Sequence, residues 1–194
     1  MRIIGGSAKG RSLSAPPGLA TRPTQDAVRE SLFNILARHV PGARVLDLFA
    51  GSGALGLESV SRGAALAVLV DRAPAAMAVI RGNVARLGFG DRCQCLLCDW
   101  RQALTRLDRQ GAVFDLVFID PPYDLVAAGS VCEALTVHGL LAPNALLAVE
   151  HRWGAPPQTI PPLHCADTRR YGGTGITFVH READDAAGDF SGQF

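Results

Sequence analysis

The sequence lacks any long hydrophobic segment. No apolar run approaches the roughly 20 residues that a membrane-spanning helix requires, and residues 1–6 (MRIIGG) are not followed by the apolar core of a secretory signal. We therefore expect neither a membrane-spanning segment nor export through a signal peptide. We therefore expect a cytoplasmic protein that makes no contact with a membrane.

Cysteine is sparse and its number is odd. Five cysteines occur without other extracellular features, which is not the pattern of a disulfide framework. The cluster at residues 93–98 (CQCLLC) has neither a second ligand pair nor a histidine at zinc spacing, and it falls in a strand-like run whose side chains alternate between faces. We expect no bound metal.

Lysine is nearly absent, and the net charge of +1 conceals an uneven distribution. Residues 1–44 contain seven arginines and lysines against two acidic residues, whereas residues 182–194 are acidic. A basic segment on a nearly neutral protein favours a local contact with nucleic acid, although a solvated basic surface remains an alternative. We expect the acidic tail at 182–194 to be disordered.

Hydrophobic patterning from residue 44 onward predicts alternating strands and helices, which is typical of an α/β fold with a mostly parallel sheet. The chain length suits one such domain. The predicted strands are 44–49, 66–71, 92–97, 114–120 and 145–150. The predicted helices are 54–62, 73–87, 100–109 and 125–137. A closing antiparallel pair of strands is predicted over 163–170 and 175–181. We expect an N-terminal hairpin or arm and a helix over residues 1–40, packed on a main domain over 41–181.

A glycine-rich turn follows the first predicted strand. Gly51, Gly53 and Gly56 stand where a strand passes into a helix and a nucleotide approaches bare backbone. This spacing also fits a tight turn that binds no ligand, or a dinucleotide site in which Asp71 accepts a hydrogen bond from a ribose hydroxyl. Asp47 in the preceding strand would repel a pyrophosphate but favour the sulfonium and ammonium groups of S-adenosylmethionine.

The tetrapeptide Asp120-Pro-Pro-Tyr123 is the most specific motif in the chain. Two prolines fix the backbone directly after a buried strand, which holds the Asp120 carboxylate and the Pro121 carbonyl in one orientation. These acceptors suit the N–H groups of an exocyclic amine, and Tyr123 offers a ring on which a base can stack. We therefore predict Asp120, Pro121, Pro122 and Tyr123 as catalytic residues.

Other strand ends complete a predicted cofactor site, since ligands of open α/β sheets bind at the carboxyl ends of the strands. Asp71 would accept hydrogen bonds from the ribose hydroxyls. Asp99 would accept a hydrogen bond from the adenine amino group, and Trp100 would pack against the adenine. The predicted cofactor-binding residues are Asp47, Phe49, Gly51, Ser52, Gly53, Asp71, Arg72, Asp99 and Trp100.

Residues 47–53 (DLFAGSG) together with the Asp120 tetrapeptide resemble the class I S-adenosylmethionine-dependent methyltransferases, which have a Rossmann-like fold. Further motifs resemble, more narrowly, the bacterial 16S ribosomal RNA guanine-N2 methyltransferases. These motifs are 2–6 (RIIGG), 22–24 (RPT) with Asp26, Arg29 and Glu30, 53–58 (GALGLE), 61–63 (SRG) and 171–174 (YGGT).

The resemblance implies a seven-stranded sheet with an antiparallel last strand and methylation of a guanine N2 in 16S rRNA, within the small ribosomal subunit. Phosphates would then be held by Lys9, Arg11, Arg22 and Arg29, and we expect a monomer. Three alternatives remain open, namely an adenine-N6 methyltransferase acting on DNA, a nucleotide-binding dehydrogenase, and a non-catalytic RNA-binding assembly factor.

Overall fold

The structure is a computed structural model that describes residues 1–16, 23–122 and 128–182. Seven strands and five α-helices occur in these residues. The strands are β1 (Arg44–Asp47), β2 (Leu66–Asp71), β3 (Cys93–Leu97), β4 (Phe114–Ile119), β5 (Leu141–Arg152), β6 (Leu163–Tyr171) and β7 (Thr174–Arg181). The helices are α1 (Pro23–Ile35), α2 (Ala54–Ser61), α3 (Pro74–Leu87), α4 (Trp100–Arg109) and α5 (Ala128–Val137).

The strands form one sheet in the order β3-β2-β1-β4-β5-β7-β6. β1 to β5 are parallel to one another, and β7 runs antiparallel to both β5 and β6. The predicted mostly parallel seven-stranded sheet with an antiparallel last strand is therefore confirmed. The chain passes outward through β2 and β3 and then returns to β4, so the strand order reverses between β1 and β4.

Most of the predicted strand and helix boundaries agree with the structure to within one residue, and the larger differences are in β1 and β5. β1 ends at Asp47 rather than at residue 49, because the chain already turns there into the glycine-rich segment. β5 begins at Leu141, four residues earlier than the predicted position 145, because Leu141 pairs with Phe114 across a register shift. Asn144, with φ of 62°, lies between Leu141 and Leu146, where the pairing with β4 changes register.

The sheet is covered on both faces. Alternate strand residues such as Val45 and Leu46 contribute to opposite layers. One layer packs apolar residues of α1, α2 and α3 on the sheet, and the other packs those of α4 and α5. This arrangement explains why the charged residues of the central strands lie at or near the strand ends while the remaining positions are apolar, since each strand buries both faces. Among the described residues, no helix is both long and apolar enough to cross a membrane.

The N-terminal arm is a hairpin in which Arg2 pairs with Ser12 in an antiparallel bridge. It is fastened to α2 by the fully buried Glu58, whose two carboxylate oxygens accept hydrogen bonds from the backbone N–H groups of Ile4 (2.8 Å) and Gly5 (2.7 Å). The arm is thus an ordered part of the domain. The acidic tail lies outside the described residues except for Glu182.

Candidate active site

A cavity of about 800 Å³ opens at the carboxyl ends of the parallel strands, where the strand order reverses between β1 and β4. Ligand sites of open α/β sheets lie at this position, and the volume suits a nucleoside-sized ligand. The predicted site residues on its wall are Asp47, Phe49, Gly51, Ser52, Asp71, Arg72, Asp99, Trp100, Asp120, Pro121 and Pro122. One cavity therefore gathers the glycine-rich turn and the aspartate–proline motif.

The three glycines of the turn have different roles. Gly51 (φ 55°) and Gly53 (φ 79°) adopt the left-handed backbone conformation that side chains disfavour. Gly53 caps α2 and is absent from the cavity wall, which differs from its predicted contact with the cofactor. A Cβ atom at Gly56 would lie 2.2 Å from Leu69 Cδ2, so this glycine permits α2 to approach β2 closely.

Asp47 is almost fully buried, with 2% of its surface exposed, and its carboxylate accepts a hydrogen bond from the Gly56 N–H at 3.1 Å. Burial raises the pKa of Asp47 to about 7, the nearby Asp71 raises it further, and the Gly56 hydrogen bond opposes both effects. Asp47 thus fixes the turn and also places a carboxyl group beside the cavity. A cation in the cavity would favour its ionised form.

Asp71 and Asp99 lie at the ends of the neighbouring strands. The Asp71 carboxylate accepts hydrogen bonds from Gly51 N–H (2.9 Å) and Ala73 N–H (2.8 Å), which connects the glycine turn to the start of α3. Asp99 caps α4 by accepting a hydrogen bond from Arg101 N–H at 3.0 Å. Carboxylates have about four acceptor positions, so both retain capacity for a ligand.

Trp100 follows Asp99 and is buried in the same part of the wall, with 5% of its surface exposed. The Arg101 guanidinium carbon lies 4.3 Å from the centre of its ring. The indole Nε1–H is buried and has no hydrogen-bond partner. A buried donor without a partner is costly and occurs often where a ligand supplies the missing acceptor.

Asp120 follows β4, and its side chain is open to the cavity while protein surrounds it on the other sides. This enclosure raises the pKa of Asp120 well above its usual value, and the neighbouring Glu150 and Asp47 carboxyl groups raise it further. Pro121 is buried and Pro122 is exposed. Tyr123 lies outside the described residues.

The predicted phosphate-binding residues that the structure describes, Lys9, Arg11 and Arg29, lie in different surroundings. Lys9 is exposed on the arm, and Arg22 lies outside the described residues. Arg11 donates hydrogen bonds to the Leu87 carbonyl oxygen (3.1 Å) and to the Arg86 carbonyl oxygen, at the end of α3. Arg29 has only 5% of its surface exposed and lies in the cavity wall. A surface phosphate contact at Arg29 is therefore incompatible with its position, because the helix buries this side chain against the arm.

Sequence reasoning missed a further part of the wall. Glu150 near the end of β5 and the pair Tyr171 and Thr174 from the β6–β7 turn also line the cavity. The Tyr171 hydroxyl lies 2.7 Å from the Ser31 hydroxyl and so connects this turn to α1. The only signal for these residues was the 171–174 motif, whose resemblance indicated the family but not the position.

The cysteines offer no additional chemistry. Burial raises the pKa of the Cys93 and Cys132 thiols to about 12, and it also raises the pKa of Cys98 on the cavity wall. A thiol with a raised pKa is a poor nucleophile and a poor metal ligand at neutral pH. Within the ranges that the structure describes, no group of three or more His, Cys, Asp and Glu residues is placed to hold a metal.

A family model described as "Conserved hypothetical protein 95" matches residues 1–180. The chain belongs to this family. A Bacillus subtilis relative named "Putative rRNA methyltransferase YlbH" is 37% identical over 182 residues, which cover 93% of this chain and 99% of the relative. The Escherichia coli "Ribosomal RNA small subunit methyltransferase D" is 41% identical over 150 residues, covering 77% of this chain and 74% of that protein.

Solved structures agree with this membership. The E. coli structure described as "Putative methyltransferase yhhF" superposes with a TM-score of 0.84 at 36% identity and covers 95% of this chain and 99% of its own. A structure described as "SMU.776, a putative methyltransferase complexed with SAH" has a TM-score of 0.63 at 17% identity, covering 82% of this chain and 50% of that one. The family member described here has the class I methyltransferase fold, and the sequence resemblance implies S-adenosylmethionine as the cofactor.

The cavity fits that cofactor. Acidic groups at three strand ends suit its hydroxyl, amino, ammonium and sulfonium groups, and these groups belong to Asp47, Asp71 and Asp99. The partnerless indole of Trp100 provides both an apolar surface and a donor for the adenosine. A dinucleotide pyrophosphate would meet these carboxylates instead of a basic surface, so the dehydrogenase alternative is disfavoured.

Proposed function

We propose that this chain transfers a methyl group from S-adenosylmethionine to the exocyclic N2 amine of a guanine in 16S rRNA, within the small ribosomal subunit. The observation that carries the proposal is the single cavity that contains both the glycine-rich turn and Asp120-Pro121-Pro122. The similarity to relatives named as small-subunit rRNA methyltransferases supports the RNA as substrate.

The bound cofactor supplies an electrophilic methyl group on a positively charged sulfur. Asp47, Asp71, Asp99 and Trp100 hold its polar groups, together with the backbone around Gly51 and with Phe49, Ser52 and Arg72 on the wall. In this role Asp71 faces the ribose and Asp99 the adenine, as their places at the ends of β2 and β3 support.

Asp120 and the Pro121 carbonyl accept hydrogen bonds from the guanine N2 amine. This amine is a weak nucleophile because its lone pair is delocalised into the ring. Acceptors on its N–H bonds stabilise the positive charge that develops as the new N–CH₃ bond forms and the S–CH₃ bond breaks. The raised pKa of Asp120 suits it to take the proton that the methylated amine then releases.

The target base reaches the cavity by flipping out of its RNA context, which costs a few kcal/mol in a duplex and less in a loop. Tyr123 would stack on it, with Pro122 fixing the backbone between them. Exposed Lys9, together with Arg11 and Arg22 of the 1–40 arm and helix, would contact RNA phosphates. The enzyme would act as a cytoplasmic monomer, since the cavity is complete within one chain.

The test is methyl transfer from labelled S-adenosylmethionine to three substrates: small ribosomal subunits that lack their own modifications, protein-free 16S RNA, and duplex DNA. Nucleosides from each product are then separated. We expect N2-methylguanosine from the small subunits.

N6-methyladenine formed only in DNA would replace the proposal with the adenine-N6 activity. Tight cofactor binding without transfer to any of the three substrates would instead indicate a binding protein, such as an assembly factor. Transfer to protein-free RNA but not to subunits would contradict the assembled particle as substrate while keeping the chemistry.

A further inference from the structure

The cavity has two buried donors that lack partners, and they come from different elements of its wall. Among the residues that the structure describes, the buried side-chain N and O atoms without a hydrogen-bond partner are Trp100 Nε1 and Arg29 Nε. Both residues line the same cavity. Trp100 follows β3, at the side where the adenosine is expected, whereas Arg29 belongs to α1.

The surroundings of Arg29 locate it near the glycine-rich turn. Its Nη2 donates hydrogen bonds to the Arg2 carbonyl oxygen (2.5 Å) and to Asp26 Oδ1 (3.1 Å). Met1, which precedes Arg2 in the chain, also lines the cavity, and its sulfur accepts a hydrogen bond from the Ser52 hydroxyl at 3.4 Å. Arg29 therefore lies beside the arm residues that contact the turn, and away from the β2 and β3 ends.

The charge of Arg29 is unusual for this cavity. The other charged side chains on the wall are those of Asp47, Asp71, Asp99, Asp120 and Glu150, together with the exposed Arg72. A buried guanidinium stays charged and needs anionic or carbonyl acceptors for its five N–H groups. Asp26 and the Arg2 carbonyl satisfy only part of this requirement, since both bind through Nη2.

The cofactor carries one negative group, the carboxylate of its methionine moiety. We infer that the Arg29 guanidinium is the anchor for this carboxylate. The inference rests on the assignment of the cavity to S-adenosylmethionine, and it concerns recognition rather than the chemical step. Nε itself is covered by protein, so the carboxylate binds the part of the guanidinium that faces the cavity, and a small rotation gives Nε–H its acceptor.

An RNA phosphate is the other anion available to the enzyme, and the position of Arg29 argues against it. The side chain is 5% exposed, and its Nη2 is held by the Arg2 carbonyl oxygen and by Asp26. A phosphate attached to a polynucleotide would have to enter the cavity beside several carboxylates. The small terminal carboxylate of the cofactor enters with compensating cationic groups of its own.

The test compares ligands that differ only in the carboxylate. Calorimetry would measure the affinities of the full chain for S-adenosylmethionine and for decarboxylated S-adenosylmethionine, in the wild type, Arg29→Gln and Arg29→Lys. We expect wild type to bind the intact cofactor roughly 10- to 100-fold more tightly than the decarboxylated one, the range for a hydrogen bond to a charged group. Arg29→Gln should remove most of this ratio, and Arg29→Lys should recover part of it.

The ratio of the two affinities protects the test from effects on folding, because a general loss of structure weakens both ligands equally. Arg44→Gln is the matched control: Arg44 is an exposed arginine at the opposite end of β1, paired with Asp115 at 3.4 Å. Its ratio should equal that of the wild type.

Three outcomes would overturn the inference. Equal weakening of both ligands in Arg29→Gln would assign the residue a purely structural role. An unchanged ratio with weaker binding of ribosomal subunits would assign it to a phosphate. Absence of S-adenosylmethionine binding by the wild type would instead refute the assignment of the cavity itself, so the two failures are distinguishable.

Discussion

At the scale of single residues, the site depends on carboxyl groups at the strand ends, of which Asp47 is buried and Asp120 is exposed toward the cavity. Asp47 and Asp120 follow adjacent parallel strands, and both have raised pKa values because burial penalises their charged forms. Such groups destabilise the folded chain at neutral pH and are retained where a ligand uses them. Their roles can be separated by substitution.

The raised pKa of Asp47 predicts that the free energy of unfolding depends on pH. Its folded pKa of about 7 lies above its usual value of 3.8, so between these two pH values the folded chain holds a proton that the unfolded chain has released. The contribution of Asp47 to the free energy of unfolding is therefore highest below pH 4, falls as the pH rises to about 7, and is constant above. Asp47→Asn removes this dependence.

We expect the free energy of unfolding of Asp47→Asn, relative to wild type, to rise by roughly 2–4 kcal/mol between pH 4 and pH 8. Urea denaturation at both pH values measures the difference. A constant difference across this range would show that Asp47 ionises as freely in the folded chain as in the unfolded one.

The proposed role of Asp120 predicts that its substitution impairs catalysis but not cofactor binding. Asp120→Ala removes an acceptor for the target amine, which should lower kcat by roughly 10³-fold and leave the Kd for S-adenosylmethionine within about threefold. The control is Asp115→Asn, which lies on the same strand at its opposite end and accepts the Arg44 N–H at 2.8 Å. Loss of cofactor binding in a folded Asp120→Ala chain would contradict this division.

At the scale of elements, the arm is attached to the domain through α2. Glu58, Ser61 and the arm backbone form a buried hydrogen-bond network, in which Ser61 Oγ accepts the Ala8 N–H at 2.9 Å and donates to the Gly5 carbonyl oxygen at 2.6 Å. The approach is so close that a Cβ atom at Gly6 would lie 1.9 Å from the Ser61 carbonyl oxygen. Backbone atoms of α2 cannot move aside to accommodate a Cβ atom as the end of a flexible side chain could.

Two arm glycines therefore form a matched pair. Gly6 (φ 75°) and Gly10 (φ 84°) share the left-handed conformation, but a Cβ atom at Gly10 meets nothing within 4 Å. We expect Gly10→Ala to cost about 1 kcal/mol of stability and Gly6→Ala roughly 2–4 kcal/mol, because overpacking adds to the strain. Urea denaturation would check this, and equal losses would mean that the arm is not tightly packed on α2.

At the scale of the whole molecule, the parallel strands bring carboxyl groups from distant parts of the sequence to one edge of the sheet. Because a cationic ligand stabilises the ionised forms, its binding should release protons. We expect the affinity for S-adenosylmethionine to increase roughly tenfold from pH 6 to pH 8 as Asp47 loses its proton. S-adenosylhomocysteine, which lacks the sulfonium charge, should show a smaller increase.

Calorimetry in buffers of different ionisation enthalpy would measure both the affinity and the number of protons released. An affinity for S-adenosylmethionine that falls as the pH rises would contradict the expected coupling. The same pH dependence in Asp47→Asn would assign the coupling to another carboxyl group, of which Asp120 is the first candidate.

The sequence alone determined much of this protein. The order and type of its elements follow from local patterns: β2 and α4 have the predicted bounds, and the apolar runs of the central strands show that both faces are buried. The two motifs at the cavity were also visible, because glycine and proline restrict the backbone within a few residues of themselves.

Only the tertiary structure decided how distant segments meet. It inserts β7 between β5 and β6, which brings Tyr171 and Thr174 to the cavity, and it turns Arg29 from an expected surface cation into part of the cavity wall. The physical reason is that strand order and helix docking depend on burial and pairing between residues far apart in the chain. A local pattern shows that a side chain is charged or apolar, but the packed neighbours decide which ligand it can contact.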